Sequence, residues 1–247
     1  MPRINIKDKR KQQLIDANIA SIAKRGLSET TIAHVSQGAG MSRGIVNFYF
    51  TTKESMMQET CQYLAEEYTA VWERALEKLA ADVTPAAALR AIISAHFQAN
   101  VCNQKRLAVW VAFWGHASSH NEYKKIIADA DAKLLEKVAG LWQEIPDTAL
   151  DATAFSYELQ SLIRGLWLNF LLSAQGMERE VLVQKAHAYL GRAVAAAYDA
   201  GQVPASNITD LQVAKEEAAK SAAKKKTKPA AATDDKQGTL GDLFALG

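Results

Sequence analysis

Thr30-Thr31-Ile32-Ala33-His34-Val35-Ser36-Gln37-Gly38-Ala39-Gly40-Met41-Ser42-Arg43-Gly44-Ile45-Val46-Asn47-Phe48-Tyr49-Phe50 decides how this chain folds. Two short helical stretches flank a glycine-containing turn, the pattern of a helix-turn-helix. Thr30 and Thr31 can cap the first helix, which runs through Gln37. Ser42 can cap the second, which runs to about Phe48. Residues 38–41 make the turn, where Gly40 lets the backbone reverse. Ile32, Val35, Ala39, Ile45 and Val46 supply the side that packs on a preceding helix. Phe48 and Phe50 read as further core, and His34 as an exposed helix residue. In this motif the second helix enters the DNA major groove by its N-terminal end. Arg43, Gly44 and Asn47 then stand near base edges, with Gly44 allowing close backbone approach. The Ser42 cap leaves backbone N–H groups where a phosphate can bind.

Working outward, the helical period continues on both sides. Leu14, Ile15, Ile19, Ile22 and Ala23 form a stripe that ends at Gly26, a helix stop. Lys53 opens a long helix towards Ala80, with Met56, Met57, Leu64, Tyr68, Trp72 and Leu76 on or near one face. Five further helical segments follow at 85–100, 104–118, 121–145, 150–174 and 178–201. Asn103, His120, Pro146 and Gln175-Gly176 stand at their joints. Strand alternation and internal repeats are absent. The expectation is an all-α chain of about nine helices. Residues 1–52 form a three-helix DNA-binding domain, 53–204 a helical ligand-binding and dimerisation domain, and 205–247 a disordered tail. That tail is rich in Lys and Ala and nearly free of large apolar side chains until Leu240, Leu243, Phe244 and Leu246.

Charge supports a division of labour. Net charge is +2, but residues 1–60 carry 9 Lys/Arg against 5 Asp/Glu, while residues 61–204 carry 13 against 16. A basic end on a slightly acidic body suits a polyanionic partner. Cys61 and Cys102 show no metal-ligand spacing and no disulfide framework, which fits a reducing cytoplasm. The N-terminal ten residues lack the apolar stretch of a signal peptide, and the longest apolar run, 166–172, is too short to span a bilayer. No membrane partner, metal or cofactor is expected. The histidines, His34, His96, His116, His120 and His187, form no catalytic or ligand pair with a carboxylate at motif spacing, so no catalytic residues are assigned and an enzyme is not expected.

The end of the opening stretch, Asn47-Phe48-Tyr49-Phe50-Thr51-Thr52-Lys53, resembles the signature of the TetR family of repressors. The resemblance implies that Tyr49 lies against a backbone phosphate. It also implies that Lys53 and Thr31 contact phosphates from the starts of their helices. Beyond this domain the chain looks like the BetI-type branch, regulators of choline-to-glycine-betaine genes. The similarity rests on Arg10-Lys11-Gln12-Gln13-Leu14-Ile15-Asp16-Ala17, Thr31-Ile32-Ala33, Ser42-Arg43-Gly44-Ile45, Trp110-Val111-Ala112-Phe113-Trp114 and Leu162-Ile163-Arg164-Gly165-Leu166-Trp167-Leu168. It implies a homodimer on a double-stranded operator, joined through the last two long helices. Ala154, Leu159, Leu162, Ala186, Ala193 and Ala197 are candidates for their interface. It also implies a small effector such as choline or another quaternary ammonium compound.

The aromatic residues fit that effector chemically. Trp110, Phe113 and Trp114 recur at i, i+3 and i+4, and Trp167 and Phe170 do the same on a later helix. Such rings hold a quaternary ammonium through cation–π attraction, about 0.5–2 kcal/mol per contact. The same spacing also describes an aromatic core, and Trp167 fits a dimer interface equally well. Arg164 departs from the branch, where an acidic residue commonly precedes Gly-Leu-Trp. Lining the site, it would repel a cation and favour a carboxylate, so a carboxylate-sensing regulator of another pathway is the second reading. A third is a DNA-associated recruitment protein acting through Ala222-Ala223-Lys224-Lys225-Lys226-Thr227-Lys228-Pro229, which looks like the Lys/Ala/Pro tails of chromatin-associated proteins.

Overall fold

Six of the described helices begin at hydroxyl, carboxylate or carboxamide side chains that accept a backbone N–H otherwise left open. The computed structural model describes residues 6–199 apart from 147, 149 and 175. Among the described residues there are nine helices and no strand: α1 (Ile6–Glu29), α2 (Ile32–Ala39), α3 (Arg43–Tyr49), α4 (Lys53–Glu77), α5 (Pro85–His96), α6 (Gln104–Ala117), α7 (Asn121–Gln143), α8 (Ala152–Leu172) and α9 (Arg179–Asp199). Thr31, Ser42, Thr52, Thr84, Asn103 and Asp151 each accept the N–H three residues on. Thr52 and Ser55 satisfy each other's backbone in a capping box at the start of α4. The residues at 205–247, with the Lys/Ala run and the Leu240 to Leu246 cluster, lie outside the described residues.

Two of the three glycines with positive φ shape the DNA-binding end. Gly26 breaks the helical run of α1 at φ +83°, and Gly40 closes α2 in the left-handed region at φ +63°. The Gly40 and Met41 N–H groups then donate to the Gln37 and Ser36 carbonyls, which forms the turn of the motif. Thr30 does not cap. It is fully buried, bonded to the Gly26 carbonyl at 2.8 Å and to Ser21 Oγ at 3.1 Å, so the cap falls to Thr31 alone.

Helix α1 packs against α2 of the motif and against α4 and α6 of the following helices. Helix α4 also packs on α5 and α7, α7 on α8, and α9 on both α5 and α8. Arg106 of α6 ties to Glu67 of α4, which also accepts from Tyr63 Oη at 2.7 Å. Among the described residues no helix is long and apolar enough to cross a membrane. Burial pushes the Cys61 thiol up to about 12 and that of Cys102 to about 11, so neither is a thiolate near neutral pH.

Two apolar assignments change in three dimensions. Leu159 and Ala186, expected on a dimer face, are buried within the chain itself. The apolar surface that α8 leaves uncovered is instead Tyr157, Leu168 and Leu172, exposed to 55%, 41% and 70%. Ala197 lies where no side chain is described.

Candidate DNA interface and effector site

The motif presents α3 outward. Val46 and Phe50 are buried and anchor it, while Ser42, Arg43, Gly44 and Asn47 are exposed along its outer side. A Cβ added to Gly44 would meet only Ser42 Oγ, at 3.8 Å. The chain's own packing therefore does not demand a glycine there, whereas a backbone approaching from outside would. Thr31 is exposed with its hydroxyl held by His34 N–H at 3.2 Å. Tyr49 is half-buried, its ring 5.2 Å from Phe48 and 6.5 Å from Phe50. Lys53 donates its ammonium to the Ser28 carbonyl at 2.7 Å, near the end of α1, so its charge sits at the junction of α1 and α4.

Two residues of the motif differ from the sequence reading. Phe48, expected in the core, is 72% exposed on α3, with Lys7 Nζ 5.8 Å from its ring centre. The seven residues of α3 bury one side only, and Val46 and Phe50 already occupy it. His34, expected on the surface, is half-buried with its Nδ1 enclosed and lacking a hydrogen-bond partner.

A second concentration of chemistry surrounds Tyr68 of α4. Its ring lies 6.0 Å from both Trp110 of α6 and Trp167 of α8, and 5.1 Å from His96 at the end of α5, edge-to-face in each case. Trp114, one turn beyond Trp110, is 6.0 Å from it and carries the Arg164 guanidinium 5.2 Å from its ring centre. Arg164 Nη2 donates to both oxygens of Asp131 on α7, at 2.6 and 2.5 Å. The ion pair resolves the sign problem that Arg164 raises. Its charge is opposed within the chain by a largely buried carboxylate.

Electrostatics mark the polar end of this cluster. Burial lifts the Tyr68 hydroxyl well above its usual value, with Asp131 adding to the rise and Arg164 and Gln160 opposing it. Burial likewise lifts the Asp131 carboxyl, against the pull of Arg164. His96 is lowered to about 4 by burial, so its imidazole is neutral at physiological pH. Trp167 Nε1 donates to the His96 carbonyl at 3.0 Å, which locks α8 to the end of α5. Phe113 and Phe170 stand apart. Phe113 is fully buried against Tyr123 of α7 at 5.1 Å, and Phe170 is half-buried near the end of α8. Among the described residues no group of three His, Cys, Asp or Glu side chains is arranged to hold a metal ion.

Comparison with known proteins places both regions in one lineage. Residues 14–60 match the family described as "Bacterial regulatory proteins, tetR family". Residues 85–195 match the one described as "BetI-type transcriptional repressor, C-terminal". The protein named HTH-type transcriptional regulator BetI from Paraburkholderia phymatum is 30% identical over 191 residues, covering 77% of this chain and 95% of that protein. The BetI from Burkholderia cenocepacia is 30% identical over 192 residues, 77% of this chain and 96% of its own. The chain belongs to the TetR family, on its BetI-type branch.

This TetR-family chain shares its fold with a regulator from Pseudomonas aeruginosa PAO1 at 21% identity. The TM-score is 0.69, over 81% of this chain and 97% of that one. A regulator from Saccharomonospora viridis, solved in complex with choline, superposes at 16% identity. Its TM-score is 0.63, over 74% of this chain and 95% of the other. As a TetR-family, BetI-type protein, the chain is a DNA-binding transcriptional regulator. Sequence reasoning singled out Trp110, Trp114 and Trp167, which Tyr68 links through Trp110 and Trp167, but missed Tyr68, His96, Asp131 and Gln160. One signal was available on α8: Gln160, Arg164 and Trp167 fall at i, i+4 and i+7, a polar entry into an aromatic face.

Proposed function

We propose that this TetR-family regulator is a dimeric repressor of genes for choline and glycine betaine metabolism, released from its operator by a quaternary ammonium effector. The observation that carries the reading is the ring cluster of Tyr68, Trp110 and Trp167. Ring faces are the chemistry that attracts a cation with no N–H to donate. The choline in the Saccharomonospora viridis relative supports the same chemistry. The ion pair between Asp131 and Arg164 weighs against the carboxylate-sensing alternative, because Arg164 already has its anion.

On the DNA side, Ser42, Arg43, Gly44, Asn47 and Phe48 form the base-facing surface, while Thr31, Tyr49 and Lys53 flank it towards the phosphates. Helix α6 joins the two functions: it carries Trp110 and packs directly on α1, which carries the motif. An effector that favours one placement of α6 shifts the spacing of two recognition helices, and operator affinity falls with it. Dimerisation uses α8 and α9, with Tyr157, Leu168 and Leu172 in the contact.

The test is titration of the purified full chain onto double-stranded DNA from upstream of its own gene, with and without choline. Specific binding that choline weakens is the expected result. Specific binding indifferent to choline removes choline as effector. Absence of any specific binding overturns the regulator assignment at this DNA.

A further inference from the structure

The end of α4 and the second half of α5 leave an open groove between them, with about 250 Å³ of space. Its apolar part is Val71 and Ala95, both buried, with Ala75 and Ala91 half-buried beside them. Its polar part is Arg74, Lys78, Ser94 and Gln98. Arg74 and Lys78 are four residues apart, so they project from the same side of α4, and like charges at that spacing repel. Elsewhere Lys11, Arg106, Lys125 and Arg164 each meet a carboxylate, whereas Arg74 and Lys78 meet none among the described residues. Glu73 and Glu77 stand on the same helix but outside the groove. The carbonyls that end α4 offset about half a charge of the two cations, so the groove stays positive.

Helix α9 sets the direction of the third polar group. His187 Nε2 lies 3.2 Å from the Arg90 carbonyl, which can only accept, so that nitrogen carries a proton and shares it with Ser94 Oγ at 3.1 Å. The Ser94 hydroxyl therefore accepts from His187 and keeps its own proton to donate. A guanidinium fork matches a carboxylate through two parallel hydrogen bonds, and an ammonium adds a point charge beside it. Val71 and the three alanines suit a short alkyl chain, which inorganic phosphate lacks. We propose that this groove binds a small aliphatic carboxylate, its head held by Arg74, Lys78 and Ser94 and its chain laid on the apolar part. The space falls below the roughly 300–1,000 Å³ of sites for drug-sized molecules, so the ligand has only a few carbon atoms. The site is separate from the Tyr68 cluster, against which His96, the neighbour of Ala95, lies instead.

Calorimetric titration of the full chain with butyrate, butyramide and inorganic phosphate, at constant ionic strength, tests the site. Butyrate is expected to bind with a Kd of about 1 mM or tighter. Butyramide has the same shape without the charge and is expected to bind at least about tenfold more weakly. Arg74→Gln and Lys78→Gln are each expected to weaken butyrate by about tenfold with an unchanged melting temperature, because both side chains are exposed. Lys133→Gln removes an exposed cation on α7 and is expected to leave butyrate affinity within about twofold. Equal affinity for butyrate and butyramide overturns the carboxylate site, as does a loss from Lys133→Gln as large as that from Arg74→Gln. Phosphate binding tighter than butyrate overturns the organic acid as the ligand. A butyrate Kd weaker than about 10 mM overturns the proposal outright.

Discussion

Asn47 and Phe48 sit side by side on the outer side of α3, one offering an amide and the other a bare ring. An amide reads adenine by two hydrogen bonds, while a ring without a polar handle suits a thymine methyl or a sugar face. Phe48 is 72% exposed and meets only its neighbour Tyr49 and Lys7 at ring distance among the described contacts, so its truncation tests binding at little expected cost to stability. Phe48→Ala is expected to lower specific operator affinity by roughly tenfold, about 1–2 kcal/mol, with an unchanged melting temperature. Fluorescence anisotropy at fixed salt, paired with thermal denaturation, gives both numbers. A fall in stability of more than about 1 kcal/mol, or unchanged affinity, removes Phe48 from the interface. The exposure of Phe48 was illegible in the sequence because apolar type and helical spacing argue for burial. Only the count of places left under a seven-residue helix decides otherwise. Arg43, Gly44 and Asn47 were legible, because a capped short helix after a glycine turn fixes which residues lead.

At the scale of the helices, the legible features were ends rather than faces. Hydroxyl caps located the starts of α2 and α3, and Gly40 located the turn between them, whereas Gly26 kinks α1 without ending it. Which face meets which neighbour was not written locally. The seam between α1 and α4 is an example: Asn18 and Thr60 are both fully buried there, joined by Asn18 Nδ2 donating to Thr60 Oγ1 at 2.8 Å. Thr60 in turn donates to the Met56 carbonyl, so it satisfies both helices. Thr60→Val keeps the shape and strips the acceptor, which leaves a buried amide with only the Met57 sulfur at 3.6 Å. A loss of about 1–3 kcal/mol in urea denaturation is expected. Adding Asn18→Leu removes the orphan as well and should recover part of that loss. Additive losses from the two substitutions would show that the hydrogen bond does not carry the seam. The same logic explains why the aromatic cluster around Tyr68 was only half legible. The tryptophans advertise themselves, whereas Asp131, His96 and Gln160 gain meaning only from the elements brought against them.

For the whole molecule, one motif is too little DNA contact for a specific regulator, and two held about 34 Å apart match successive turns of the duplex. An exposed apolar face on α8 is available for such pairing. Tyr157, Leu168 and Leu172 fall on the outward side of α8, and Tyr189 of α9 reaches across to Glu158 at 2.6 Å. Exposed apolar groups this large on one helix face mark a surface that another protein covers. Symmetry makes the second copy its simplest occupant, because one patch then serves both sides of the contact. Replacing Leu168 and Leu172 together with Glu sets four carboxylates against one another across such an interface, while neither side chain is buried within its own chain. Sedimentation velocity is expected to show the native chain as a dimer and this variant as a monomer with native helix content. Operator affinity should fall by at least about tenfold, because the second half-site is no longer delivered at high local concentration. A variant that stays dimeric would move the interface off this face of α8. A monomer that keeps full operator affinity would mean that a single motif suffices, and coupling through helix spacing could not then be the route by which an effector releases DNA.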